Sequence, residues 1–409
     1  MPTTGGATAC ERTDSAVMES VPDRAAAVAQ QAVDARDETE RGRRLAPPVV
    51  ASLEDSRLFG LVSPTALGGD AADPATLVRA ITTLATADAS VGWCYGIGAG
   101  SNFLSGLIPQ DTAAEVFADV AKGGAGPFAP GGRAEVTGDG FVVTGRWPYS
   151  SNCQQAAVIG AGMIAFADGR PAEMQSDGSP VMRLGFFTAD QLAIEETWNT
   201  VGLRGTGSHD MIGTDVALDR DRVSSLHAEM WPDDALFRLR SFDVLGACLS
   251  PVPLGLGRAA LDLVGAKGVA DEAGPPVMGP RPRLGDDELA QLELGRAETR
   301  LRAAEALLLD ALGTSYEHAR AGDVPPRAAT AIIGLANCEA LAAGMHAVDT
   351  AVRLLGSAAV REGAPLEKLR RDVDTASAHV MFSPRVVAGL SRELAGIPTS
   401  AFPYLPPPE

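Results

Sequence analysis

The spacing of apolar residues divides the chain into three stretches of different character. In the first, Pro74–Ala87 places Leu77, Ile81 and Leu84 at helical intervals, which predicts one buried helical face. Val21–Arg44 is alanine-rich with its charges on one face and reads as a helix. Pro47-Pro48 ends that helix or starts the next, Val49–Phe59, and Gly60–Gly69 reads as a loop. Asp88–Cys94 opens a further helix that continues to Leu107, with Ser90 as the candidate cap, and Thr112–Ala121 is a short one. From Gly123 to about Leu226 helical periodicity disappears. Phe141–Thr144, Ala156–Phe166, Leu184–Phe187 and Met211–Leu218 read as strands, and Asp139-Gly140 after Ala134–Thr137 is a hairpin signal. From Ala235 helices return: Val244–Lys267, Asp286–Ala321, Arg327–Leu354 with Gly356 at its end, and Leu366–Phe382. Leu289, Leu292, Leu301, Ala304, Leu308 and Leu312 are the expected buried stripe of the longest. Asp271–Gly285, with four prolines, must be a loop.

These elements predict an α+β chain: a mobile tail over 1–20, an N-terminal helical domain over 21–122, a central β-barrel-like domain over 123–230 and a C-terminal four-helix bundle over 231–409. Composition narrows the functions available. A net charge of -18 argues against nucleic acid and anionic membrane as partners. Five dispersed cysteines form no Cys-x-x-Cys pair, so neither a disulfide framework nor a zinc site is suggested, and a reducing cytoplasm fits. No His/Glu cluster has metal-ligand spacing. The N-terminus carries no signal pattern, and no apolar run approaches the ~18 residues of a membrane span.

Candidate chemistry concentrates at Trp198–Asp210. Three glycines, Arg204, Thr206 and Ser208 there describe either a turn between strands or a backbone that approaches a ligand closely and offers donors to it. Gly202–Gly207 lacks the strand-turn-helix context of a dinucleotide fingerprint. Near the C-terminus, Arg371, Thr375 and His379 fall at i, i+4 and i+8, one stripe if the helix is continuous. His379 is either a proton donor and acceptor near neutral pH or a helix-end cap before Pro384. Arg258 and the arginines of Arg281–Gly285 reach a phosphate or a substrate, or merely meet solvent.

Five segments together carry a resemblance: Ala87–Cys94, Gly145–Ser151, Trp198–Asp210, Leu355–Ser357, and Arg371-Asp372 through His379. In order and spacing they resemble the acyl-CoA dehydrogenase fold superfamily over essentially Val21 to Ala401, and within it the branch of two-component flavin-dependent monooxygenases (group D). A dehydrogenase of this fold needs a carboxylate base, usually a Glu followed by Gly-Thr. Here Val380 stands at that place, His379 precedes it, and Met381-Phe-Ser-Pro follows. The monooxygenase branch has a His at this position.

The resemblance implies reduced flavin, FMN or FAD, delivered by a separate reductase. It implies O2 addition at C4a to a peroxide or hydroperoxide, and oxygen transfer to carbon, nitrogen or sulfur of a small organic substrate. It implies His379 and Ser150 as catalytic residues. Cofactor contacts would come from Ser150, with Ser151 second, Arg204, Thr206, Ser208, Gly356, Ser357 and Arg371. Trp93, Phe128, Ala129 and Pro130 would wall the substrate pocket. Trp147 is expected to be structural, and His209 to face solvent or a neighbouring subunit in a homotetramer. Asn152 departs from the family's Gly after Ser-Ser. Two other classes stay open: an acyl-CoA dehydrogenase-type flavoenzyme with a relocated base, and a non-catalytic protein that kept the fold.

Overall fold

The computed structural model describes residues 20–175, 178–269, 284–397, 399 and 404–405. The expected tail up to residue 19 and Asp271–Arg283 of the proline-rich loop lie outside the described residues. The described residues begin with six α-helices: α1 (Val21–Asp34), α2 (Arg36–Gly42), α3 (Pro47–Asp55), α4 (Pro74–Ala87), α5 (Ala89–Phe103) and α6 (Gln110–Val116). Local chemistry sets their starts. Ser20 and Asp73 accept from the amides of Asp23 and Thr76, each ahead of a proline in the first turn. Asp88 ends α4 and caps α5 by accepting from Ser90 N at 2.9 Å, so the cap is Asp88 rather than the expected Ser90.

Every residue of α5 except Ile97 is buried, and its glycines make that possible. A Cβ on Gly96 would run into the carbonyl of Cys248, and one on Gly92 would stand 2.7 Å from the Cβ of Ala85. A sequence poor in helix formers is thus helical because neighbouring helices close tightly around it.

Eight strands follow: β1 (Gly132–Val136), β2 (Gly140–Ser150), β3 (Val158–Ala167), β4 (Arg170–Pro171), β5 (Met182–Thr188), β6 (Ala193–Glu195), β7 (His209–Asp219) and β8 (Val223–Ser224). Their order is β6-β7-β2-β1-β3-β5-β8, with β4 paired to β3. Gly185 of β5 stands against Leu218 of β7, and Trp147 of β2 packs on Phe187 of β5. Contacts between strands so far apart in the order require the sheet to curl on itself, which is the barrel-like character expected. The path remains open, with β6 and β8 as its edges. Period-two alternation divides the two sides: Phe187 joins the core inside the curl, whereas its neighbour Phe186 packs outward on Phe117.

The remaining helices are α7 (Ser241–Leu249), α8 (Pro251–Val269), α9 (Glu288–Arg320), α10 (Arg327–Leu355), α11 (Pro365–Ser377) and α12 (Pro384–Leu394). Leu301, Ala304, Leu308 and Leu312 of α9 are buried as expected. Leu289 and Leu292 are 74% and 48% exposed. In the first turns the buried positions are Ala290 and Ala297 instead, so the stripe runs on a face rotated from the one expected. The predicted helix Leu366–Phe382 is interrupted: α11 stops at Ser377, and a separate 3-10 turn covers Val380–Phe382. Two helical stretches, Ser241–Ala266 and Arg327–Val360, are long and apolar enough to cross a membrane by length and composition, contrary to the sequence expectation. The first is 89% buried inside the protein, as a core helix is. One apolar cluster runs from Ala25 of α1 to Leu390 of α12, so the N-terminal helices and the bundle share a core.

At the α8–α10 crossing a Cβ on Gly344 would collide with the carbonyl of Pro253, a backbone atom that cannot swing aside. Gly344→Ala is therefore expected to destabilise the protein by about 1–3 kcal/mol through overpacking. Chemical denaturation of the two proteins side by side measures it.

Candidate active site

Four segments converge on one small polar cluster. The first is Trp93, on the buried helix α5. The second is the end of β2, where the β2–β7 register shifts between Trp147 and Ser150. At that bulge Tyr149 takes a left-handed backbone conformation (φ 63°) and is 73% exposed. Ser150 turns inward and its hydroxyl donates to Trp147 O at 3.0 Å. Ser151 is the residue whose hydroxyl enters the cluster. Asn152 is also left-handed (φ 69°), a conformation Asn tolerates better than most residues, so the change from Gly preserves the turn. Its amide N–H donates to Thr206 O at 3.1 Å and its side chain to Gly124 O at 2.9 Å.

The third segment is the loop from Trp198 to Ser208. Trp93 Nε1 lies 3.1 Å from Ser151 Oγ. Ser151 Oγ is 2.7 Å from Ser208 Oγ, and Ser208 Oγ is 2.7 Å from Thr206 Oγ1. Thr206 Oγ1 then donates to Leu203 O at 2.8 Å. Leu203 is itself left-handed (φ 48°), and its carbonyl also accepts from Trp198 Nε1 at 3.1 Å. The fourth segment is the turn after α11. His379 is extended (φ -69°, ψ 135°) and lies past the helix end, so it does not continue the stripe of Arg371 and Thr375. Its ring meets Trp93 edge-on at 5.6 Å and Phe382 at 6.1 Å.

The loop is held by buried charge. Asp372 Oδ1 accepts from Leu203 N at 2.6 Å, while its Oδ2 pairs with Lys368 Nζ at 2.7 Å. Lys368 also meets Asp88 at 3.1 Å and Glu40 at 3.9 Å. Burial alone would lower the Lys368 pKa, but Asp88, Asp372 and Glu40 together raise it. Arg371 pairs with Glu367 and Glu40 and donates to Val201 O. Arg204 reaches Glu40 at 3.8 Å, and its Nε is buried without a partner.

The glycines of this loop serve protein packing. A Cβ on Gly202 would run into the backbone of Arg371, and one on Gly205 into the methyl of Thr39. Neither a plain turn nor close approach to a ligand is needed for those two positions, since tight docking onto α2 and α11 accounts for them.

Other expected residues sit apart. Phe128 lies near Gly126 and Gly160, and Ala129 and Pro130 are exposed at the surface. Gly356 caps α10, its N–H donating to Val352 O, and Ser357 is exposed beside it. Arg258 forks onto Glu298 at 2.8 and 3.1 Å, an ordinary bundle ion pair. Trp147 is structural, donating to Gly162 O at 2.6 Å. His209 corrects its expectation: it is 5% exposed and its Nδ1 accepts from Trp198 N at 3.1 Å. Two grooves, about 580 and about 300 Å³, lie on the helical side and do not include Trp93, Ser151 or His379. The residues that sequence reasoning missed are Lys368, Asp88 and Glu40. Their charges are scattered over the chain, and only the i, i+4 spacing of Lys368 and Asp372 hinted at a pair.

The electrostatics of His379 follow from desolvation. The ring is half-buried with no carboxylate acting on it, and its pKa is pushed down to about 4. It is therefore neutral at physiological pH. Its Nδ1 accepts from Met381 N at 3.4 Å, which places the ring proton on Nε2.

The imidazole of His379 and the buried indole of Trp93 adjoin a chain of hydroxyls, and the exposed Tyr149 ring stands on the bulge that carries Ser151. Aromatic rings beside polar side chains are a lining that fits a planar heteroaromatic cofactor such as a flavin, and Arg204 Nε is buried without a partner on the same loop. The comparisons agree. The model of the acyl-CoA dehydrogenase C-terminal domain matches residues 247–384. Indole-3-acetate monooxygenase of Pseudomonas putida is 30% identical over 345 residues, 84% of this chain and 85% of that one. The oxygenase component of FADH(2)-dependent resorcinol hydroxylase from Rhizobium sp. is 29% identical over 300 residues, 70% of this chain and 71% of its own. XiaF from Streptomyces sp., solved with FADH2 and glycerol, superposes with a TM-score of 0.84 at 26% identity, covering 95% of this chain and 97% of that one. The chain belongs to the oxygenase components of flavin-dependent monooxygenases on the acyl-CoA dehydrogenase fold. The relatives' names describe one as a FADH(2)-dependent oxygenase component and another as the oxygenase subunit of a flavin-dependent monooxygenase.

Lys368→Met leaves Asp88 and Asp372 buried without their cation and is expected to cost about 3–5 kcal/mol, read by urea unfolding. His379 has a sign that can be checked. Unfolding returns its pKa from about 4 to 6.5, so the unfolded chain binds the extra proton between those values. The stability it contributes is complete above 6.5 and lost as pH falls toward 4. His379→Asn should flatten that part of the stability–pH curve.

Proposed function

We propose that this enzyme hydroxylates a ring carbon of a small aromatic substrate, using reduced FAD and O2. The carrying observation is the juxtaposition of neutral His379, Trp93 and the Ser151 hydroxyl. The relatives' names supply the class: one acts on indole-3-acetate, another on resorcinol with FADH2. The bound reduced flavin supplies the activation of O2.

The chain's own residues then have three tasks. Ser151, rather than Ser150, meets the polar edge of the ring, because Ser150 is fully buried on Trp147 O whereas Ser151 keeps 9% exposure. Tyr149, standing edge-on to Trp198 at 6.4 Å, gives the ring a wall. His379, neutral at pH 7, presents its Nε2–H as a hydrogen-bond donor to the reacting group. Arg204, with its unpartnered Nε, is the best placed of the arginines for the flavin's phosphates; Arg371 serves to hold the loop. Exposed Leu289, Leu292 and Ile332 on α9 and α10 support contact with further copies of the chain, for which the proposed assembly is a homotetramer.

Dehydrogenation of an acyl thioester is the competing chemistry. It needs a carboxylate over the site, and desolvation is the sole cause of the His379 shift, so none stands against that ring among the described residues. Val380 at the family's base position is exposed and cannot accept a proton.

Stopped-flow mixing of the protein–reduced FAD complex with O2 and indole-3-acetate or resorcinol tests the proposal. The expected outcome is a long-lived near-ultraviolet intermediate and hydroxylated product. Bleaching of oxidised flavin by an acyl-CoA would instead mark a dehydrogenase. His379→Ala should lower the hydroxylation rate about 10²–10⁴-fold, the range for loss of a positioned acid–base group. Unchanged turnover would remove His379 from the mechanism.

A further inference from the structure

One face of α5 runs past Trp93 and continues beyond it. Trp93, Ile97 and Ser101 follow at intervals of four, so their side chains share one stripe of the helix. Trp93 meets the His379 ring, and Ile97, a turn further on, is the one residue of α5 left half-open. Ser101 comes a turn later and is 4% exposed. A serine hydroxyl inside a helix commonly bonds the carbonyl four residues back. That of Ser101 bonds nothing, although it is buried. The backbone facing it is bare: a Cβ on Gly124 or on Gly126 would stand 3.3 Å from Ser101 Oγ. Half-buried Phe128 closes the Gly126 side, and with Phe186 and Leu184 it surrounds Gly160. The stripe therefore ends on one unspent hydroxyl in an apolar lining.

The named lining is uncharged throughout. Desolvation is the sole cause of the lowered His379 pKa, so no ion of either sign acts on that ring among the described residues. The cations of α11 are already committed, Lys368 to Asp372 and Asp88, Arg371 to Glu367 and Glu40. A carboxylate brought into the lining would lose its water and gain no counter-ion, the costliest form of burial. A hydroxyl or an amide loses less and finds Ser101. Two helical turns separate Ser101 from Trp93, about 12 Å along the axis. The group that Ser101 holds is therefore remote from the carbon that reacts. We infer that the substrate is an uncharged aromatic molecule with a hydroxyl or amide on an arm, and that Ser101 is the specificity-determining residue that holds that group. This rests on the aromatic-hydroxylase reading above, and it ranks a neutral ligand ahead of the carboxylate in the name of one relative, indole-3-acetate.

Three probes of similar size separate the possibilities. Indole-3-ethanol carries the hydroxyl, 3-propylindole replaces it by a methyl, and indole-3-acetate carries a charge. Each is titrated anaerobically into the protein–reduced FAD complex, and hydroxylation is followed once O2 is admitted. Indole-3-ethanol should bind at least about tenfold more tightly than indole-3-acetate. It should bind no less tightly than 3-propylindole, despite the greater preference of a propyl group for apolar surroundings. Ser101→Ala should weaken indole-3-ethanol about tenfold, the effect of leaving one buried polar group unpaired, and leave 3-propylindole within about twofold. General loosening of the fold would weaken both.

Indole-3-acetate bound as tightly as indole-3-ethanol would overturn the proposal. So would a folded Ser101→Ala protein that keeps the native ratio of indole-3-ethanol to 3-propylindole. If that variant does not fold, the native protein decides: 3-propylindole bound clearly more tightly than indole-3-ethanol shows that nothing meets the hydroxyl, and overturns it. A native complex that neither binds nor hydroxylates any of the three probes, or resorcinol, would instead overturn the hydroxylase reading itself.

Discussion

The polar cluster depends on one buried interaction, the Asp372 carboxylate shared between Lys368 and the amide of Leu203. Leu203 is a non-glycine residue in a left-handed conformation, which costs energy unless its surroundings hold it. A carboxylate 2.6 Å from its N–H and a hydroxyl 2.8 Å from its carbonyl supply that hold. The carboxylate is dry and must be neutralised, and Lys368 does so from one turn earlier on α11. Burial raises the Asp372 pKa while the lysine opposes that rise, so the pair is a compromise between desolvation and attraction. It is the fixed point of the loop at Leu203, beside the bond from Arg371 to Val201 O and that from Asn152 N to Thr206 O.

Several distant parts of the sequence are explained by this clamp. Gly202 is small because the backbone of α11 occupies the place of a side chain. Glu40 of α2 lies between Arg204, Arg371 and Lys368 and ties the N-terminal helices to the same point. Asp88 caps α5, the helix that carries Trp93, and faces Lys368 as well. One buried cation thus joins the helix holding the indole, the loop holding the hydroxyls and the helix that leads to His379.

Much of the architecture was legible from residue patterns. Apolar periodicity located the helices of both ends, and β-branched and aromatic runs with Asp139-Gly140 located the strands, because these signals are local. Signals that depend on distant partners were not legible. Leu289 and Leu292 obey helical spacing, yet among the described residues no element covers them. His379 sits at the right interval after Arg371, but the helix stops two residues before it and the ring is placed by the turn instead. Ser150 and Ser151 are indistinguishable by type. Only the bulge at Tyr149 decides which of them turns toward Ser208. The acidic and basic members of the clamp come from α2, α5 and α11, and pairing among them is a property of the folded chain alone.

Helix α11 carries Asp372 near its middle and delivers His379 just beyond its end. Thirteen residues of helix span about 20 Å, short enough to move as a stiff rod. The imidazole is therefore referenced to the loop it faces more directly than to the bundle behind it. Breathing of the bundle would carry hydroxyls and imidazole together, as two jaws mounted on one shank. Spacing within the site is thereby insulated from the slow deformations of the larger body.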